Sequence, residues 1–102
     1  MNLLKETIEE LTENGKSESD VLWVGRGFYA CNYEKQEDFK AKADFEYDNG
    51  YGGNEIPMDL IVVGKDFWLE RHEYDGAEWW EFKTMPKEPK ETKELSLNSY
   101  DD

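Results

Sequence analysis

Residues Phe67 to Met85 read F-W-L-E-R-H-E-Y-D-G-A-E-W-W-E-F-K-T-M and hold three of the four tryptophans and the only histidine of the chain. At the centre stands Tyr74-Asp75-Gly76-Ala77. Asp-Gly readily takes the left-handed backbone angles of a tight two-residue turn, so this dipeptide between two β-rich runs predicts a hairpin. Pairing across the turn sets Tyr74 opposite Ala77, Glu73 opposite Glu78, His72 opposite Trp79, Arg71 opposite Trp80, Glu70 opposite Glu81, Leu69 opposite Phe82 and Trp68 opposite Lys83. Side chains alternate between the two faces of a strand. One face therefore carries Phe67, Leu69, Arg71, Trp80 and Phe82, and is expected in the core with the Arg71 stem laid across Trp80. The other carries Trp68, Glu70, His72, Tyr74, Trp79, Glu81 and Lys83. A three-residue loop with a glycine bulge is the competing register. It mixes apolar and charged groups on both faces, so the two-residue turn is preferred.

Asp59-Leu60-Ile61-Val62-Val63 lies just before the hairpin and is the clearest buried strand of the chain. Gly64-Lys65-Asp66 turns it into the hairpin, so residues 59 to 84 read as a three-stranded antiparallel meander. Val21 to Cys31 (V-L-W-V-G-R-G-F-Y-A-C) is β-rich, and a strand within it is expected to join the sheet; its two glycines mark a hairpin tip or a bulge. Residues 2 to 14 read as an amphipathic helix through Leu4, Ile8 and Leu11, widened by Leu3, with Asn2 as cap and Gly15 as stop. Phe39, Ala41, Ala43, Phe45 and Tyr47 alternate as in a strand, but Phe39, Ala43 and Tyr47 also recur at helical spacing. The Lys, Glu and Ala content favours a helix from about 35 to 48. Asn49 to Asn54 is a loop by composition, and Tyr51 within it is a candidate contact residue. Pro86 and Pro89 close the ordered part. The expected architecture is one α+β domain over 1–86, a small antiparallel sheet covered by two helices, followed by a charged, mobile tail over 87–102.

At 102 residues the chain is long enough for a modest core. Aromatic residues are 15% of it, too many for a disordered protein even with 36% charged residues. No apolar run approaches the ~20 residues of a membrane span, and no signal peptide is visible at the start, so a cytoplasmic setting is expected. The single cysteine, Cys31, excludes an internal disulfide and reads as a small buried residue. The net charge of −13 argues against direct binding to nucleic acid or to anionic membranes. It favours a cationic partner, with solubility alone as the other reading.

Gly25-Arg26-Gly27 is not a phosphate loop, since the glycine pattern is incomplete and no helix follows at once. Asp44 to Asp48 shares the composition of a calcium loop without its ligand spacing. No zinc motif and no cofactor motif is present. Glu70 opposite Glu81 places like charges roughly 5 Å apart, which requires compensation from Lys83, Arg71, a cation or a partner's arginine. Three readings of this face stay open. It is a solvated outer face with aromatics supporting the strands, a protein-binding patch anchored by Trp68, Tyr74 and Trp79, or a catalytic or metal site on Glu70, His72 and Glu81. A single histidine and little room for a deep cleft count against the last. The outward carboxylates expected on the first helix, Glu6, Glu9, Glu10 and Glu13, form either a solvated face or an acidic strip for a basic partner.

D-F-E-Y-D-N-G-Y-G-G (residues 44 to 53) and W-L-E-R-H-E-Y-D-G-A-E-W-W-E-F-K (residues 68 to 83) resemble small acidic proteins encoded by phages and prophages, over most of residues 21 to 86. The resemblance implies an accessory role rather than a virion part. By size, charge and context it extends to inhibitors of host-defence nucleases, among them anti-CRISPR proteins, some of which imitate DNA. The leading expectation is a non-enzymatic interaction protein that needs no cofactor. As a monomer or weak dimer, it would bind a basic surface of a host protein, such as a nucleic-acid enzyme, through Trp68, Glu70, His72, Tyr74, Trp79, Glu81, Tyr51 and the helix carboxylates. The alternatives are a small hydrolase or metal-dependent enzyme, and a structural homodimer subunit.

Overall fold

The computed structural model describes residues 1–35, 38–48, 50 and 55–98. Along the chain run helix α1 (Leu3–Glu13), strands β1 (Val21–Arg26) and β2 (Tyr29–Cys31), the short helix α2 (Phe39–Lys42), and strands β3 (Ile61–Gly64), β4 (Phe67–Tyr74) and β5 (Ala77–Thr84). A single 3-10 turn, Glu18–Asp20, leads into β1 and is held by reciprocal bonds between Ser17 and Asp20. The strands form one antiparallel sheet in the order β2-β1-β3-β4-β5. The fold is α+β.

Asp75 has φ 52° and Gly76 φ 88°. These are the two positive angles of a primed hairpin turn, whose twist matches the flanking strands. The β4–β5 register follows the expected pairing throughout, from Tyr74 opposite Ala77 to Trp68 opposite Lys83. Phe67, Leu69, Arg71 and Trp80 are buried, and Phe82 packs against the core. The Arg71 guanidinium lies 4.8 Å from the Trp80 ring centroid. Strand β3 pairs with β4 through Val62 opposite Leu69, which puts Val62 in the core and Ile61 and Val63 on the other face. It begins at Ile61, two residues later than the sequence suggests, because Pro57 to Leu60 form a turn closed by the Leu60 N–H on the Pro57 carbonyl.

The glycines of Val21–Cys31 mark a hairpin tip: Arg26 pairs with Tyr29 across Gly27-Phe28. A bulge at Leu22 shifts the β1–β3 register. The extra residue lets Val21 and Val24, three positions apart, both point inward, while Leu22 stays exposed.

Helix α1 lies across the inner face beside β5, and both of its ends have the expected caps. Asn2 Oδ1 accepts the Lys5 N–H at 3.0 Å. At the other end the Lys16 N–H reaches the Leu11 carbonyl and the Gly15 N–H reaches that of Thr12, with Gly15 at φ 73°. The buried stripe is Leu3, Thr7 and Leu11, while Leu4 and Ile8 are only half-buried. Thr7 enters the core because its hydroxyl has partners on both sides. It donates to the Leu3 carbonyl at 2.7 Å and accepts the Trp80 indole N–H at 2.9 Å.

The expected helix over 35–48 is corrected. Among the described residues of that range only Phe39–Lys42 is helical, and the chain then runs as a strap across the start of α1. The carbonyls of Ala43 and Phe45 accept the N–H groups of Leu4 and Leu3. Those donors at the head of α1 have no partner within their own helix. Carbonyls spent there are lost to a continued second helix. The burial period nonetheless survives: Phe39, Ala43 and Tyr47 are all buried.

Residues 85–98 are exposed and carry no helix or strand. Among the described residues no helix is long and apolar enough to cross a membrane.

Candidate functional site

No element among the described residues covers the outer face of the sheet, and its register dictates what it shows. One row runs Trp23, Val63, Trp68, Lys83 across β1, β3, β4 and β5. The next contains Gly25, Ile61, Glu70 and Glu81, followed by His72 opposite Trp79. Trp68, Glu70, His72, Trp79, Glu81 and Lys83 are all half-buried, held against one another rather than extended into water. Trp23 joins them by lying over Gly25, where a Cβ would stand 2.7 Å from its ring. The sequence does not point to Trp23 on this face, because simple alternation from the buried Val21 would turn it inward and the bulge at Leu22 reverses that.

At the centre, the Glu70–Glu81 pair is compensated from several sides. Trp68 Nε1 donates to Glu70 Oε1 at 2.7 Å, and Trp79 Nε1 donates to Glu81 Oε2 at 3.1 Å. His72 Nε2 lies 2.7 Å from Glu70 Oε2 and 3.5 Å from Glu81 Oε1, bridging the two carboxylates. Lys83 Nζ adds a contact to Glu81 Oε1 at 3.2 Å. Lys83 takes the compensating role expected of it, whereas Arg71 does not: its side chain is on the opposite face. The indole of Trp68, then His72, hold the Glu70 carboxyl below the usual range. The indole of Trp79 and the ammonium of Lys83 do the same for Glu81. The result is a carboxylate pair fixed in position and framed by two indole rings.

Tyr74 stands at the turn end of the face and is exposed. The helix carboxylates divide. Glu9 and Glu13 are exposed, and Glu10 is half-buried. Burial raises the Glu10 pKa against a bond from Asn14, with Glu13, Glu6 and Glu81 adding repulsion. The acidic surface of α1 thus reaches round the β5 edge to the hairpin face. Glu9 also borders a shallow groove floored by Leu4 and Ile8 and rimmed by Asp44 and Glu46.

Glu6 does not belong to that outward strip. Its carboxylate accepts the Tyr47 hydroxyl and lies 3.3 Å from Arg71 Nη1. Arg71 Nη2 also binds the Tyr47 hydroxyl and Glu78 Oε1, each at 3.0 Å. Burial disfavours the Arg71 charge, but Tyr47, Glu6 and Glu78 more than offset this and raise its pKa. Glu78 was not among the expected site residues. The signal that finds it is Arg71 itself: a cation on an apolar face needs a counter-charge on that face, and Glu78 shares it. Tyr51 lies outside the described residues.

A further feature is the β1–β2 tip. Phe28 is wholly exposed there, while Asp59 clamps the turn through Arg26 Nε at 2.7 Å and the Gly27 N–H at 3.4 Å. Among the described residues no group of three or more His, Cys, Asp and Glu side chains is arranged to hold a metal ion. Compared with protein families, curated proteins and solved structures, the chain matches none.

Proposed function

We propose that the chain is a non-enzymatic acidic interaction protein that docks its uncovered sheet face on a basic surface of another protein. The observation that carries this reading is the Glu70–Glu81 pair, fixed by indole N–H groups, His72 and Lys83 and framed by Trp68 and Trp79. Aromatic side chains around preorganised charges are what interface hot spots are made of. The net charge of −13 supplies long-range steering toward a cationic partner. A partner built to hold phosphates, such as a nucleic-acid enzyme of a phage host, offers the complementary surface, and blocking it is the effect proposed here.

The test is capture from a bacterial lysate on the immobilised protein at ~0.15 M salt, where the Debye length is about 8 Å, and again at high salt. Wild type is compared with Glu70→Lys/Glu81→Lys and with Trp68→Ala. The expected result is a basic protein held at low salt, released at high salt and lost with both variants. Capture that neither variant changes would sink the assignment of this face.

A further inference from the structure

The covering layer of the inner face is uneven. Helix α1 lies over the β5 side, whereas among the described residues the β1–β2 side has the single turn of α2 and the segment 55–60 above it. A cavity of about 360 Å³ remains there. Its floor is core: Leu3, Val24, Phe39 and Ile56 are each at most 6% exposed. Cys31, on the inner side of β2, is part of the wall. The sequence leads one to expect little room for a deep cleft, and this cavity is a modest, open one.

Two cations, Arg26 and Lys42, and one carboxylate, Glu55, line the cavity; Glu55 Oε2 is engaged by the Asp48 N–H at 2.9 Å. Arg26 is committed to Asp59 at 2.7 Å. Lys42 is exposed, and among the described residues it forms no ion pair within 4 Å. We propose that this cavity is a binding site for a small apolar monocarboxylate, with the hydrocarbon body on the Val24–Phe39–Ile56 floor and the carboxylate on Lys42. The volume is at the low end of the roughly 300–1,000 Å³ typical of ligand pockets, so the ligand is a short chain or a single ring. Burial of its body supplies the affinity, and the Lys42 charge selects the acid over its neutral analogue. The site is distinct from the outer face and separated from it by the thickness of the sheet.

Cys31 gives a single-site readout, because it is the only cysteine. Its reaction rate with a soluble aromatic disulfide is followed in the full chain during titration with decanoate, and separately with decanol, both below the concentration at which they aggregate. The expected result is saturable protection by both, with decanoate binding roughly two- to fivefold more tightly, the margin an exposed ion pair provides. Lys42→Met, a surface change that leaves the floor intact, removes the margin, and Lys42→Arg restores it. No protection by either compound would overturn the proposal. So would equal affinity of wild type for acid and alcohol. Cys31 that reacts more slowly as protein concentration rises, with no ligand added, would mean that a second copy covers the cavity, and would overturn it as well.

Discussion

Arg71 and Glu78 meet at 3.0 Å with neither side chain exposed to solvent. Glu78 also accepts the backbone N–H groups of Glu55 and Ile56, at 2.9 and 3.2 Å. One carboxylate thus fixes the cation of β4 and the chain that returns toward β3. Removing one member of a buried pair leaves the other charged and unpaired, which costs about 3–5 kcal/mol. Arg71→Met, which strands the buried Glu78 carboxylate, is expected to lower stability by that order in urea unfolding, and Glu78→Gln by less, because Arg71 keeps Glu6 at 3.3 Å. The double variant is expected to lose less than the sum of the two, as contacting groups do. Additive losses would mean that the pair is not coupled.

Thr7 and Trp80 test the seam between helix and sheet. Thr7→Val keeps the shape but leaves the Trp80 N–H without its acceptor. The expected loss is about 1–3 kcal/mol, the cost of an unsatisfied buried donor. The fluorescence of the buried indole should change with it. A variant as stable as wild type would show that the bond has a replacement.

Gly64 faces inward beside Phe67. A Cβ there would stand 2.1 Å from the ring, so the ring or the strand must move. Gly64→Ala is expected to destabilise by about 1–3 kcal/mol through overpacking. Gly15→Ala meets no neighbour within 4 Å and isolates the cost of a positive φ, 73° at that position. Comparing the midpoints of the two variants separates crowding from backbone strain.

The carboxylates give opposite pH signatures. Glu70 and Glu81 have pKa values lowered from 4.5 in the folded state. Their stabilising contribution is complete above the unfolded value and is lost as pH falls through the folded one. Glu10 is raised from 4.5, so its ionised form opposes folding and its contribution worsens as pH rises through that range. Glu10→Gln should therefore raise the melting temperature at pH 7 and leave it unchanged in acid. Trp68→Phe should move the Glu70 titration, followed by carboxyl carbon NMR, upward. A Glu70 titration that stays in place would remove the indole N–H as its principal cause.

How far the sequence carries depends on whether neighbours in space are neighbours along the chain. The hairpin register was legible because Asp75-Gly76 and the alternation of Leu69, Arg71, Trp80 and Phe82 are local signals that agree. The caps of α1 were legible for the same reason: Asn2 and Gly15 act within their own turns. The fate of residues 39–47 was not legible. Whether Ala43 and Phe45 give their carbonyls to a second helix or to Leu4 and Leu3 is decided by a packing partner some forty positions away. Glu6 was misplaced likewise, since its helical position looks outward until Arg71 and Tyr47 arrive to meet it. Of the candidate face, the Glu70–Glu81 opposition and the flanking tryptophans were visible. The bridging position of His72 was not, because a ring torsion sets it.

The strap across the head of α1 also bears on the order in which the molecule assembles. Asn2 and Asp44 are bonded across 42 positions of chain, and the N–H groups of Leu3 and Leu4 depend on the same segment. The β4–β5 hairpin needs only its two strands, Phe67–Tyr74 and Ala77–Thr84, and the Asp75-Gly76 turn between them, and such elements close in about 1–10 μs. Closing a long loop is entropically harder and slows folding. A chain emerging from the ribosome presents α1 before either its strap or the sheet it rests on exists. The helix made first is therefore among the last parts to be secured, and until then Leu3, Leu11 and the ends of its backbone are open to any other surface.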